Sequence, residues 1–243
     1  MPTGRKHLTR HEMLKQDEFV SWVTHATMWI EANRRVVVAG LIAAAVVAAA
    51  ALGISAWQRS RMDQAFTMLG DVQKIARTPI AGEPGAAPGA LQSPEERGTR
   101  ILAAADRLLA EFPSGEAANW ARYHRAAALL DLGRKDEAAA SLAPAPGGTP
   151  GTLLADLSNL LSGRIEEARG NLQKAADTYA TAAEKSGKSF PPELALADQA
   201  RCLAALGKKA EAITAYQKIL DVYPESPLAG KANQKLQELK GSS

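Results

Sequence analysis

The stretch "LGKKAEAITAYQKILDVYP", residues 206–224, decides the fold. It sets Gly207, Ala212, Tyr216 and Pro224 at uneven intervals, and the pattern returns upstream. Glycines stand at Gly133, Gly170 and Gly207, and alanines at Ala138, Ala175 and Ala212, thirty-seven residues apart in each series. Breakers keep the same step at Pro113, Pro150, Gly187 and Pro224. A fixed period in this range marks a stacked array of short repeats.

Each unit follows from its residue types. A helix ends at the Gly, which takes the left-handed backbone that closes a helix C-terminus. After a short turn a second helix begins. The small Ala stands where the two antiparallel helices approach most closely, and a larger side chain would push them apart. Leu142, Tyr179 or Tyr216, four residues on, shares its face and fills the gap between units. Pro then stops the second helix. Such a hairpin buries its apolar face only by stacking on a neighbour.

These residues resemble the tetratricopeptide repeat family. One repeat carries Ala126, Leu129, Gly133, Ala138, Leu142 and Pro150. The next carries Gly163, Gly170, Ala175 and Tyr179. The last carries Ala200, Leu203, Gly207, Ala212, Tyr216 and Pro224. The period exceeds the family's repeat of about thirty-four residues by about three, and the extra residues are placed in the junctions near 153–155 and 190–192. An earlier half-match, "ILAAADRLLAEFP" (101–113), reads as a second helix whose partner lies in 60–78. The expected fold is all-α: an N-terminal amphipathic helix, one membrane helix, then a solenoid of about four hairpins with a capping helix.

Composition agrees. Of 243 residues, 46% are hydrophobic but only 5% aromatic. Alanine-rich helices pack closely on that diet, whereas a sheet needs more β-branched and aromatic runs. Residues 1–35 hold six Lys/Arg and four Asp/Glu; from 58 onward there are twenty-three and twenty-two. The repeats are thus nearly neutral, with no basic stripe for nucleic acid. The single cysteine, Cys202, excludes an intramolecular disulfide and a cysteine metal cage, and reads as a small core-edge residue.

"VVVAGLIAAAVVAAAALGIS" (36–55) is twenty residues without a charge. At about 1.5 Å per residue it crosses a hydrocarbon core of about 30 Å. Arg34 and Arg35 precede it; Trp57, Arg59 and Arg61 follow. The charged region ahead of it is too long for a cleaved signal peptide, so it reads as an uncleaved anchor. The basic tail favours an N-terminus in the cytoplasm, with the repeats outside. Two small-residue stripes, Gly40–Ala44–Ala48 and Ala45–Ala49–Gly53, are attributed mainly to alanine-rich composition. Ahead of the span, Leu14, Phe19, Trp22, Val23, Ala26, Trp29 and Ile30 share one helical face. That face suits the headgroup region of a lipid membrane, or a partner's cytoplasmic surface. The expected membrane-interface residues are Trp22, Trp29, Arg34, Arg35 and Trp57. His7 and His11 lie four apart, but with no third ligand nearby they read as part of a solvated tail.

The expected division is a tail over 1–35, a span over 36–57, repeats over 58–240 with an irregular loop at 78–94, and a short tail at 241–243. The loop, "TPIAGEPGAAPGALQSP", is rich in breakers. Ser226 and Pro227 are expected to open a final helix. Its buried stripe would be Leu228, Ala232, Leu236 and Leu239, with Lys231, Lys235 and Lys240 in water.

No phosphate-binding loop, nucleophile elbow or metal-spaced cluster appears, and no cofactor is expected. "IEEA" (165–168) reads as a charged helix face. The expectation is a binding module, not an enzyme. In the family that these repeats resemble, the first helices line a concave groove. By that resemblance the groove would include Trp120, Tyr123, Leu130, Leu157, Leu160, Arg164, Leu194 and Arg201. Trp, Tyr and Arg are the usual anchors of such surfaces. The alternative is that Trp120 and Tyr123 pack on the preceding hairpin. The family's clamp for acidic chaperone tails uses a Lys and an Asn where this chain has Tyr123 and Ala127, which argues against that ligand.

The whole layout, a tail with an amphipathic helix, one span and a repeat domain, resembles the ancillary SecYEG translocon subunit (YfgM-like) family. That resemblance implies a bacterial inner-membrane protein with periplasmic repeats. Its partners would be the translocon or periplasmic chaperones. "AITAYQKILDVYPESPLAGKA" also resembles envelope-assembly proteins of the BamD and TolA-binding group, which lack such a span. The competing role is a structural scaffold in an envelope or outer-membrane assembly complex, self-associating or joined to other proteins.

Overall fold

In a computed structural model, the structure describes residues 22–86, 90–142, 152–186 and 190–241. Among these are ten helices and no strand. Helix α1 spans 22–32, followed by α2 (Arg34–Arg77), α3 (Pro94–Glu111), α4 (Glu116–Asp131) and α5 (Lys135–Leu142). Then come α6 (Leu153–Ala168), α7 (Leu172–Lys185), α8 (Pro192–Ala205), α9 (Lys209–Val222) and α10 (Ala229–Gly241). The chain divides into two units, Met1–Arg61 and Met62–Ser243.

In the first unit, α1 gives way to α2 across a single turn residue, Asn33, whose backbone N–H and side-chain amide both donate to the Trp29 carbonyl at 2.9 Å. Trp22 and Trp29 are exposed, as are Arg34 and Arg35. Residues 7, 11 and 14–21 of the expected tail lie outside the described residues. Helix α2 contains a window long and apolar enough to cross a membrane by length and composition, and none of that window is buried. Leu41 (66% exposed), Val47 (68%) and Leu52 (70%) show a helix that is apolar all round and covered by no other described part of the chain. Just past the window, the Arg61 guanidinium lies 5.5 Å from the centre of the Trp57 ring.

The second unit is the hairpin array. Its first hairpin pairs the end of α2 with α3, as the half-match at 101–113 predicts. Ala65, Leu69 and Val72, at helical steps, bury against Ile101, Ala105, Leu108 and Phe112, and α4 covers them with Ala117, Ala118 and Ala121. Helix α3 starts earlier than the sequence motif suggests. The Ser93 hydroxyl accepts the Glu96 N–H at 3.1 Å, Pro94 occupies the first turn, and the Glu96 carboxylate reaches back to the Gln92 N–H at 2.7 Å. The loop before it is less irregular than its composition implies. Ile80 and Leu91 form a parallel bridge, the Ala81 N–H donates to the Leu91 carbonyl at 2.7 Å, and both bridging side chains are buried. Two apolar residues at the ends of the loop suffice to fix it there.

The three later hairpins close their first helices in one way. At the end of α4, Gly133 has φ 75°, its N–H donates to Leu130 O at 2.9 Å, and the Arg134 N–H donates to Leu129 O at 2.8 Å. Gly170 and Asn171 repeat this on Glu167 and Glu166, and Gly207 and Lys208 on Ala204 and Leu203. These paired bonds satisfy carbonyls that a helix end leaves open, and they require a left-handed residue at the Gly position. The alanines of the period, Ala138, Ala175 and Ala212, are fully buried, as a tight crossing demands. Pro113 and Pro224 follow α3 and α9; Pro150 and Gly187 lie outside the described residues.

Stacking buries one cluster per junction. Ala126, Leu129 and Ala138 meet Leu161 and Ile165 of the next hairpin. Ala175, Ala176 and Tyr179 meet Cys202, Leu203 and Ala212. Leu196, Ala200, Tyr216 and Ile219 meet Ala232 and Leu236 of α10. Cys202 is therefore central to a core, not at its edge. Helix α10 begins at Ala229, because Ser226 caps a preceding turn: its hydroxyl accepts the Leu228 N–H at 3.2 Å. Ala232 and Leu236 are buried as expected, while Lys235 is partly buried.

Candidate protein-binding groove

Helices α4, α6 and α8 are the first helices of successive hairpins and carry the expected groove residues. The structure sorts those residues into three groups. Trp120 packs on the core of the first hairpin. Tyr123 and Leu130 instead pack on the cluster shared with α6, and Leu160 on the cluster shared with α8. Leu157 is half-buried and Arg164 exposed. Leu194 and Arg201 line an open cleft of about 440 Å³ between α8 and α10.

On α4 three rings meet. Trp120 is edge-on to Tyr123 at 6.0 Å between centroids, and His124 stacks on Trp120 at 6.2 Å. His124 was not expected. Burial lowers its pKa, aided by the cation of Arg77, and its Nε2 is buried without a hydrogen bond. The ring thus favours its neutral form. Burial raises the Tyr123 hydroxyl, and the nearby Arg164 cation opposes that shift.

Between α6 and α8 lies a polar circuit. Glu167 takes both terminal nitrogens of Arg201, one at 2.9 Å, and accepts the Tyr179 hydroxyl at 3.2 Å. The second of those Arg201 nitrogens also donates to Asp198 at 2.7 Å. The Arg201 hydrogen bonds hold the Glu167 carboxyl below its usual range. The neighbouring Glu166 is buried and bound by Asn171 (2.8 Å), Lys174 (3.0 Å) and Arg169 (3.2 Å), with Asn171 chiefly lowering its pKa. Arg169 in turn reaches Asp136 of the preceding hairpin at 2.6 Å. The expectation of a merely charged helix face at 165–168 is therefore corrected. Glu167 ties its hairpin to the next through Arg201, whereas Glu166 is held within its own hairpin and fixes the Arg169 that reaches back to Asp136.

The cleft completes this surface. Leu194, Ala197, Asp198 and Arg201 form its α8 wall; Lys231 and Lys235 of α10, with Leu228 in the turn before it, form the other. Tyr216 and Ala232 form its floor, both nearly inaccessible. Sequence reading found Leu194 and Arg201 here but missed Asp198, one turn from each. It also missed the α10 wall, because that helix reads as a cap. Among the described residues, no group of three or more His, Cys, Asp or Glu could hold a metal ion.

Glycine-closed hairpins with buried alanines in fixed register define a repeat class, and comparison names it. The tetratricopeptide repeat-like domain family matches residues 27–241. The chain belongs to this family. Neither the curated proteins nor the solved structures gave a match. As a tetratricopeptide repeat-like protein, it has the architecture of a protein–protein interaction module.

Proposed function

We propose that this protein is a single-pass membrane protein whose repeat domain docks other proteins during export or envelope assembly, on the periplasmic side of a bacterial inner membrane. The observation that carries the reading is the apolar, uncovered helix window continuous with the first helix of a repeat array. An exposed apolar surface of that length is costly in water and matched to a bilayer core. The family match supports the joining of the two parts, since it takes in the apolar helix along with the repeats. Trp22, Trp29 and Trp57 are placed as interfacial anchors, with Arg34 and Arg35 at the cytoplasmic boundary. Lipid is thus a partner of the first unit, and proteins are the partners of the second.

Affinity capture from detergent-solubilised membranes tests this reading, paired with a reporter at Ser243 that is active only in the periplasm. The expected result is reporter activity together with recovery of translocon or periplasmic chaperone components. Recovery of neither, with only further copies of the chain captured, would replace the export role by a self-associating scaffold. A silent reporter would reverse the orientation.

A further inference from the structure

The ring cluster on α4 contains a base. His124 stacks on Trp120 with 30° between the ring planes and meets Tyr123 edge-on at 5.4 Å between centroids. Trp120 in turn packs on the core of the first hairpin, so the imidazole lies against a ring that anchors α4 to α2 and α3. The Nε2 atom of His124 is buried and has no hydrogen-bond partner among the described residues. A neutral ring tolerates this by keeping its one proton on Nδ1. An imidazolium carries a proton on both nitrogens, so one N–H would be buried without an acceptor.

The surrounding charges oppose the imidazolium. Arg77, the last residue of α2, is the cation that acts on His124. Arg164 of α6 acts on the adjoining Tyr123. The carboxylates of the other packed helices are committed: Asp106 of α3 to Arg125 at 2.6 Å, and Asp136 and Glu137 of α5 to Arg169 and Arg134, each at 2.6 Å. On α4 itself, Glu116 stands eight positions before the ring and Asp131 seven after it.

We propose that His124 is an acid-operated latch: the neutral ring holds Trp120 on the first hairpin, and the protonated ring leaves its place and releases Trp120 to solvent. The device goes beyond the docking role and holds whichever proteins the domain meets. Its element with two states is the contact between the α4 rings and the end of α2. Acid adds a second cation beside Arg77, and the repulsion is relieved when the imidazolium reaches water. The working range follows from the ring's surroundings. Burial, aided by Arg77, lowers the His124 pKa. The hold is therefore complete above the ordinary histidine value, about 6.5, and is lost as pH falls through the lower folded value. Glu166 and Glu167 are lowered from the carboxylate range, about 4.3, so their contributions go only in stronger acid.

The test follows Trp120 by fluorescence in the full chain in detergent micelles. Trp22, Trp29 and Trp57, all exposed, are replaced by Phe, which leaves Trp120 as the sole tryptophan. Between pH 7.5 and pH 5 its emission is expected to shift to the red and its quenching by acrylamide to rise, with helix content by circular dichroism unchanged. His124→Gln, which cannot titrate, is expected to show no step in this range. Arg77 is exposed, so Arg77→Gln spares the core, and it is expected to raise the midpoint toward the ordinary histidine value; this arm stands even where His124→Gln does not fold. No step in the parent protein, the same step in His124→Gln, or an unmoved midpoint in Arg77→Gln would each overturn the latch. So would a step confined to the carboxylate range, or one accompanied by loss of helix. A fall in intensity with acrylamide access unchanged would mean that the ring takes its proton in place and keeps Trp120, which also overturns it.

Discussion

Gly163 and the ring of Tyr179 occupy one space. A Cβ on Gly163 would lie 2.4 Å from Tyr179 Cε1 and 2.6 Å from Cδ1, far inside contact distance. The ring is fully buried and cannot swing away, since Cys202 and Leu203 of the next hairpin pack in the same cluster. The repeats before and after carry Ala126 and Ala200 in this register, the latter beside another tyrosine, Tyr216, so it is the placement of the Tyr179 ring, not its size alone, that takes the room of a methyl on the facing helix.

Gly163→Ala should therefore cost about 1–3 kcal/mol by overpacking. At about 2–4 °C per kcal/mol for a domain of this size, the loss is visible in a thermal melt. Combining it with Tyr179→Leu should cost less than the sum of the two single changes, because the residues share one contact. Strict additivity would mean that the two side chains do not meet.

Gly207→Ala probes a different cause. Gly207 has φ +74° and open space where a Cβ would point, so only backbone strain opposes the substitution. The expected loss is about 1–2 kcal/mol. Gly207→Asn should lose less, because Asn tolerates the left-handed region. Chemical denaturation of the three proteins checks the order, and a β-branched residue at the site should be worse than either.

Acid should weaken the junction between the third and fourth hairpins. Glu167 is held below its ordinary value by Arg201. The folded state therefore binds fewer protons than the unfolded state between the two pKa values. The contribution is fully present above the unfolded carboxylate range, about 4.3, and is lost as pH falls through the lower folded value. Glu166 acts in the same direction. Glu167→Gln should lower the urea midpoint at pH 7 and shrink the difference between pH 7 and pH 3. An unchanged pH difference would leave Glu167 without a stabilising role.

Cys202 should be silent in the folded protein. Its side chain is 1% exposed and burial pushes its thiol up to about 11. Thiolate is the reacting form, so both access and charge oppose modification. A disulfide reagent at pH 8 should react slowly with the native chain and promptly in urea. Modification at equal rates in both would contradict the packing of α8 on α7.

The repeat register was legible because it is written in residues with few alternatives. A left-handed turn wants Gly, and a tight helix crossing wants Ala. The role of Gly163 was legible only as a small residue, since its collision partner lies sixteen positions away on another helix. Glu167 was misread as surface because its partner comes from another turn of the array: Arg201 lies thirty-four positions away. Glu166 is bound from its own hairpin by Arg169, Asn171 and Lys174, and what the sequence hid is its burial. Of the expected groove, the residues on α8 face an open cleft, while Trp120 serves the core. Its rim on α10 was hidden because an amphipathic terminal helix looks alike whether its polar face meets water or frames a cleft.

The bridge between Ile80 and Leu91 separates two things that usually change together. With both ends of the loop pinned, the positions at which α2 stops and α3 starts no longer depend on the number of residues between them, and closure entropy grows only slowly with that number. Segments of different length or character can be exchanged there while the hairpins keep their places, which makes this turn the natural point of entry for a tag, a label or an inherited insertion.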